Sequence, residues 1–169
     1  MSSSEIPKDH PRYLSLRARH ALEEGLKLGI TTPTGLIAHG RGESLDYLLG
    51  EKTHDFATLA IRATAAKMLN SKNAVISING NTAVLVPKEF CELSDVSNAK
   101  LEVNLFYDSP SRRENIAEHF LKYGKNILGV HPNAVVPGLS SARANVDAIG
   151  ISNADFVLVS LEDGDRTEP

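Results

Sequence analysis

The sequence predicts an α/β, Rossmann-like fold: a mostly parallel sheet covered by helices on both faces, with an N-terminal helical extension. Short apolar runs, AVISI at 74–78, KLEVNLF at 100–106, NILGV at 126–130 and DFVLVS at 155–160, alternate with segments of helical period. These runs are apolar along nearly their whole length, as strands buried on both faces must be. The chain of 169 residues, 41% hydrophobic and 23% charged, is long enough for one domain with a real core and too short for two. Residues 10–169 are therefore expected to form a single domain behind a flexible lead at 1–9.

Each element has its own signal. From Pro11 to Leu28, Leu14, Ala18, Leu22 and Leu26 recur at four-residue spacing and Gly29 marks a stop. The stretch GLIAHGRGESLDYLLG (35–50) reads as an apolar lead-in, a Gly40-Arg41-Gly42 turn and a short acidic helix capped by Ser44. Asp55 opens a further helix, DFATLAIRATAAKML, whose apolar stripe is Phe56, Leu59, Ala60, Ala63 and Ala66. Asn79-Gly80-Asn81 ends the first strand, and Pro87 opens another helix. Ser109-Pro110 caps and starts the helix that carries Ile116, Ala117, Phe120 and Leu121, and the looser stretch 138–150 is expected to be helical in part.

Composition excludes several function classes. A formal net charge of -3 offers no general attraction for nucleic acid or anionic lipid. Four tyrosines, five phenylalanines and no tryptophan make a poor base-stacking surface. No nucleic acid and no membrane is expected as a partner. The single Cys91, in VPKEFCEL, fits a buried thiol in a reducing compartment, and MSSSEIPKDHP has no hydrophobic signal region, so a cytoplasmic location is expected. Six histidines without paired spacing, beside one cysteine, give no zinc site, and no metal-ligating residues are assigned. Ser140 and Ser141 lie outside any GxSxG context.

In a parallel α/β sheet, ligands sit beyond the carboxyl ends of the strands. Asn79-Gly80-Asn81, Tyr107-Asp108-Ser109 and Asp163-Gly164-Asp165-Arg166 are expected there. Arg41, flanked by glycines that permit positive φ and followed by a capped helix, suits a phosphate or carboxylate. The segment is neither a Walker A loop nor a GxGxxG fingerprint. His39 is a secondary candidate. Arg17 and Arg19 point to different faces of their helix, and periodicity does not choose between them. Asn79-Gly80-Asn81 is equally a plain turn or a set of amide donors for a ligand. The loop Asp163-Gly164-Asp165-Arg166-Thr167 suits ribose hydroxyls or Mg²⁺ better than a mere polar tail, because a buried strand leads into it. These residues point to an α/β domain that binds a phosphorylated, nucleotide-type ligand.

Taken together, HPRYLSLRAR (10–19), GLIAHGRGESLDYLLGE (35–51), VISINGN (75–81), KLEVNLFY (100–107) and LVSLEDGDRTE (158–168) resemble archaeal phosphopantothenate synthetase, the 4-phosphopantoate–β-alanine ligase. The resemblance implies a homodimeric enzyme of coenzyme A biosynthesis. It would join 4-phosphopantoate to β-alanine through an acyl-adenylate, consuming ATP with Mg²⁺ and releasing AMP and diphosphate. It also implies that Arg19 and Arg41 contact ATP and that Asp163, Gly164, Asp165, Arg166 and Thr167 form a nucleotide-binding segment. Asn79, Gly80 and Asn81 would lie near the substrates. Family members run on beyond DGDRTE, whereas this sequence stops at Pro169. The alternative is therefore a non-catalytic nucleotide- or phosphate-binding module derived from the ligase, and an exposed edge or apolar surface is expected. An NAD-type oxidoreductase is disfavoured, since no GxGxxG follows the first strand.

Overall fold

The structure is a computed structural model and describes residues 6–160. Helix α1 spans Tyr13–Lys27 and ends where Gly29 turns to a φ of 67°. Helix α2 spans Pro33–Leu49 without interruption. Thr32 is its N-cap, with the hydroxyl accepting from the Gly35 N–H at 3.0 Å, and Pro33 supplies the pre-set φ of a first helical residue. This overturns the expected Gly40-Arg41-Gly42 turn and the capping role of Ser44. All four residues lie inside the helix, and the Ser44 hydroxyl donates back to the Gly40 carbonyl at 3.0 Å. The Thr-Pro start outweighs two interior glycines, each costing about 1 kcal/mol relative to alanine. The break comes at Gly50, with a φ of 86°.

Helix α3, Asp55–Leu69, forms as expected, but its apolar stripe does not pack as expected. Phe56 and Leu59 are about 70% exposed, and only Met68 of this helix is buried. On α2, Ile37, Leu45 and Leu48 are likewise exposed. Nothing among the described residues covers these two faces.

Strand β1, Ala74–Ile78, is buried throughout. Two helices follow, α4 (Thr82–Leu85) and α5 (Pro87–Ser97), and Asn98 closes the second in the left-handed region. Strand β2, Lys100–Val103, leads to helix α6, Pro110–Leu121, where Ser109 accepts from the Arg112 N–H as the N-cap. Two-residue strands β3 (Ala134–Val135) and β4 (Asn145–Val146) pair antiparallel, and β5 is Phe156–Val159.

The main sheet is parallel in the order β2-β1-β5, with Val75 beside Lys100 on one side and Val157 on the other. Ile76, Ile78, Leu101 and Val103 present one face to Phe90, Ile116 and Phe120, and this is the core. Asp155 ties the sheet at its other end, accepting from the N–H groups of Lys72 and Asn73. The strand expected at 126–130 shrinks to one parallel bridge, Leu128 beside Glu102. Gly129, at a φ of 77° and packed on the Val103 carbonyl, turns the chain away before a ladder develops. The stretch 138–150 is helical only in one short 3₁₀ turn at Ala142–Ala144, with a second at Ile151–Asn153 just beyond it.

Candidate functional site

A cavity opens at the carboxyl ends of β1 and β2. Counting its open mouth, it holds about 570 Å³ and is lined by Thr32, Thr34, Gly35, Ala38 and Arg41 of the α2 segment. Asn79, Gly80 and Asn81 come from the β1 exit, Leu105, Phe106 and Tyr107 from the β2 exit, with Arg112 and Arg143 completing the wall.

The helix contributes through its period. Thr34, Ala38 and Arg41 are spaced by four and three residues, so they share one face, and the Arg41 side chain reaches the cavity from the third turn. The same helix brings its N-terminus to the cavity wall; Pro33 has no N–H and the Gly35 N–H is held by Thr32, so the Thr34 N–H and the positive helix end are what it offers an anion. The capped helix start anticipated at Ser44 thus lies at Thr32, and Arg41 lines the cavity from inside the helix.

Asn79-Gly80-Asn81 is first a junction. The Asn79 side-chain oxygen accepts from the N–H groups of Asn81 and Thr82, closing an Asx turn, and its Nδ2 donates to the Ser160 carbonyl at 2.9 Å. Asn81 Nδ2 donates to the Gly35 carbonyl at 2.9 Å, binding the β1 exit to the first turn of α2. Gly80 permits a close approach of chain to chain. A Cβ there would stand 2.7 Å from the Ile30 carbonyl oxygen and 2.5 Å from Arg112 Nη2.

Arg112 is the residue the sequence reading missed. Its Nε and Nη2 donate to the Ile30 carbonyl at 3.1 and 2.8 Å, and its Nη1 donates to the Tyr107 carbonyl. Burial pulls the guanidinium below its usual pKa and nearby Asp108 pulls it back. An arginine stays charged under such a shift, so a partly desolvated cation sits in the cavity wall. Arg143 was also missed. It lies in irregular chain, where no periodic signal exists. Arg112 had one faint signal, its place in the first turn after a strand-to-helix junction.

The remaining candidates lie elsewhere. Arg19 does not line the cavity. Its Nη2 donates to Glu43 of α2 at 2.7 Å, and Glu43 also accepts from the Ser15 hydroxyl. The Ser15 hydrogen bond, ahead of the Arg19 pairing, holds the Glu43 carboxyl below the usual carboxylate range. Arg17 lies over the Tyr13 ring at 5.5 Å. His39 is half-buried beside this cluster, and its Nε2 has no hydrogen-bond partner among the described residues. Asp163, Gly164, Asp165, Arg166 and Thr167 lie outside the described residues. Among the described residues no group of three His, Cys, Asp or Glu side chains is placed to hold a metal ion, and no helix is long and apolar enough to cross a membrane.

The cavity thus gathers three arginines, Arg41, Arg112 and Arg143, beside the N-terminal turn of α2. The family model for phosphopantothenate/pantothenate synthetase matches residues 56–169. A protein of Thermococcus onnurineus named 4-phosphopantoate–β-alanine ligase is 54% identical over 166 residues, covering 97% of this chain and 64% of the relative. Its namesake in Thermococcus kodakarensis is also 54% identical, over 96% of this chain and 63% of the relative. That of Methanosarcina mazei is 48% identical over 98% and 65%. The chain thus spans just under two thirds of the length of these relatives. By the extent of these matches, the chain belongs to the phosphopantothenate/pantothenate synthetase family.

Proposed function

We propose that the protein is an ATP-dependent ligase joining 4-phosphopantoate to β-alanine in coenzyme A biosynthesis, with AMP and diphosphate released through an acyl-adenylate. The observation that carries the reading is the convergence of Arg41, Arg112, Arg143 and the α2 N-terminus on one cavity at the strand ends. Two phosphorylated substrates demand cations and N–H donors more than a nucleophilic side chain. The α2 N-terminus and Arg41 gather phosphate oxygens, while Arg112, pinned to two carbonyls, holds its charge in place. Arg19 and the segment Asp163-Gly164-Asp165-Arg166-Thr167 are proposed to complete the ATP contacts, and His39, Asn79, Gly80 and Asn81 to border the substrates. Among the described residues the cavity wall carries no carboxylate, so those residues do not themselves fit Mg²⁺. The ion would come with the nucleotide, and no step is routed through it.

The functional unit is proposed to be a cytoplasmic homodimer. The exposed apolar residues of α2 and α3 support this, because large exposed apolar surface marks an interface. The test of the ligase is isotope exchange between diphosphate and ATP on the purified full chain. Exchange that appears only with 4-phosphopantoate is expected. Nucleotide binding without exchange would favour the non-catalytic module instead.

A further inference from the structure

Glu102 in β2 and Asn104 just beyond it are two residues apart in extended chain, so both face away from the core formed by Leu101, Val103 and Leu105. Glu102 is fully buried. A charged side chain in that position must be hydrogen-bonded, and it is. One carboxylate oxygen accepts from the Asp147 N–H at 2.7 Å and the other from the Ile151 N–H at 2.6 Å. Gly150 lies so close that a Cβ there would fall 1.8 Å from Glu102 Oε2. Burial raises the carboxyl pKa, and the two N–H donors oppose that shift. Asn104 is also buried, and its Nδ2 donates to the Arg143 carbonyl at 2.9 Å.

The segment held in this way has little regular structure of its own. It consists of the 3₁₀ turn Ala142–Ala144, the two-residue strand β4 and the turn Ile151–Asn153. Beyond its pairing with β3, it is tied to the main sheet by side chains reaching out from β2, and Arg143 at its start lines the cavity. We infer that Glu102 and Asn104 are positioning residues, a two-point clasp from the back of β2 that sets Arg143 in the ligand cavity. Glu102 fixes the far end of the segment through two backbone N–H groups, and Asn104 fixes the backbone of Arg143 itself. This rests on the reading of the cavity as the substrate site.

A double-mutant cycle on the full chain tests it, with kcat and the KM values for ATP and 4-phosphopantoate as readouts. Arg143→Ala is expected to raise one of the two KM values at least tenfold. Asn104→Ala should raise the same KM by about tenfold, on the scale of one lost positioning hydrogen bond. In the Arg143→Ala background it should add nothing. Glu102→Gln leaves one of the two N–H groups without an acceptor and should follow the same pattern. If Glu102→Gln fails to fold, Asn104→Ala decides alone, since it leaves the buried carboxylate and both its partners in place. Fold-changes that multiply in the double variant would overturn the clasp and leave the cavity reading intact. An unchanged Arg143→Ala would overturn the cavity reading, and the clasp with it.

Discussion

Gly80 and Arg112 approach so closely that a single added methyl at residue 80 would stand 2.5 Å from the guanidinium nitrogen Nη2. Gly80→Ala would also press on the Ile30 carbonyl at 2.7 Å, and backbone yields less readily than a side chain. The expected cost is about 1–3 kcal/mol, typical of overpacking, seen as a fall of several degrees in thermal midpoint. Because Arg112 must move to relieve the clash, activity should fall further than stability explains. A variant with the parent's midpoint and rate would remove Gly80 from the site's architecture.

Gly40 and Gly42 lie inside α2 with open space where a Cβ would go. Gly40→Ala and Gly42→Ala should therefore each stabilise the protein by up to about 1 kcal/mol. At Gly50, where φ is 86°, the same change should destabilise. Calorimetry separates a continuous helix from a glycine turn here, since a turn would reverse the sign at residues 40 and 42.

Arg41, exposed on α2, lines the cavity and forms no described hydrogen bond or ion pair. Arg41→Ala should cut activity severely while the thermal midpoint stays within about 2 °C, as for most exposed substitutions. Calorimetric titration with ATP provides the check. Parent-like affinity in the variant would remove Arg41 from the nucleotide site.

Glu43 governs the acid limb of stability between α1 and α2. Its carboxyl pKa is held low by Ser15 first and Arg19 next. A lowered folded pKa means that the contribution is complete above the ordinary glutamate range, about 4.3, and is lost as pH falls through the lower folded value. Glu43→Gln should therefore lower the midpoint near neutral pH, and the gap from the parent should close as pH falls below the ordinary glutamate range. A gap that persists at low pH would show that the loss is one of packing alone.

The exposed faces of α2 and α3 predict association. Leu48→Glu combined with Leu59→Glu, both at largely exposed positions, should cost the folded chain little. In sedimentation equilibrium the parent is expected at twice its chain mass and the variant at once. A parent that sediments at single mass would withdraw the homodimer.

The legible part of this molecule was whatever has a period or a strong punctuating residue. The strand at 74–78, the helix opened by Asp55, the Pro87 start and the Ser109-Pro110 cap all stand where the sequence indicates. The Gly40-Arg41-Gly42 segment was misread because glycine marks both turns and tolerated helix interiors. The stronger signal, Thr32-Pro33, lay eight residues earlier. Leu128 forms one bridge rather than a strand because Gly129 takes a positive φ that no hydrophobic pattern encodes. Of the cavity cations, Arg41 was singled out on a glycine turn that does not form, and it reaches the cavity by helical period instead. Arg112 and Arg143 were not singled out, since each enters the site through contacts with chain far from it in sequence.

That distance has a consequence for how the cavity comes into being. The tie from Arg112 to Ile30 closes 82 residues, from Asn79 to Ser160 81, from Asn81 to Gly35 46 and from Asn104 to Arg143 39. Such non-local contacts form late, after the loop-closure entropy of the intervening chain has been spent. No partly folded segment holds the cavity, so a ligand that fits it recognises the completed chain alone. By mass action, a ligand at a hundred times its dissociation constant would add about 2.7 kcal/mol to the stability of the whole domain. Any ligand that fits this cavity would then brace the fold as a whole, not one segment of it.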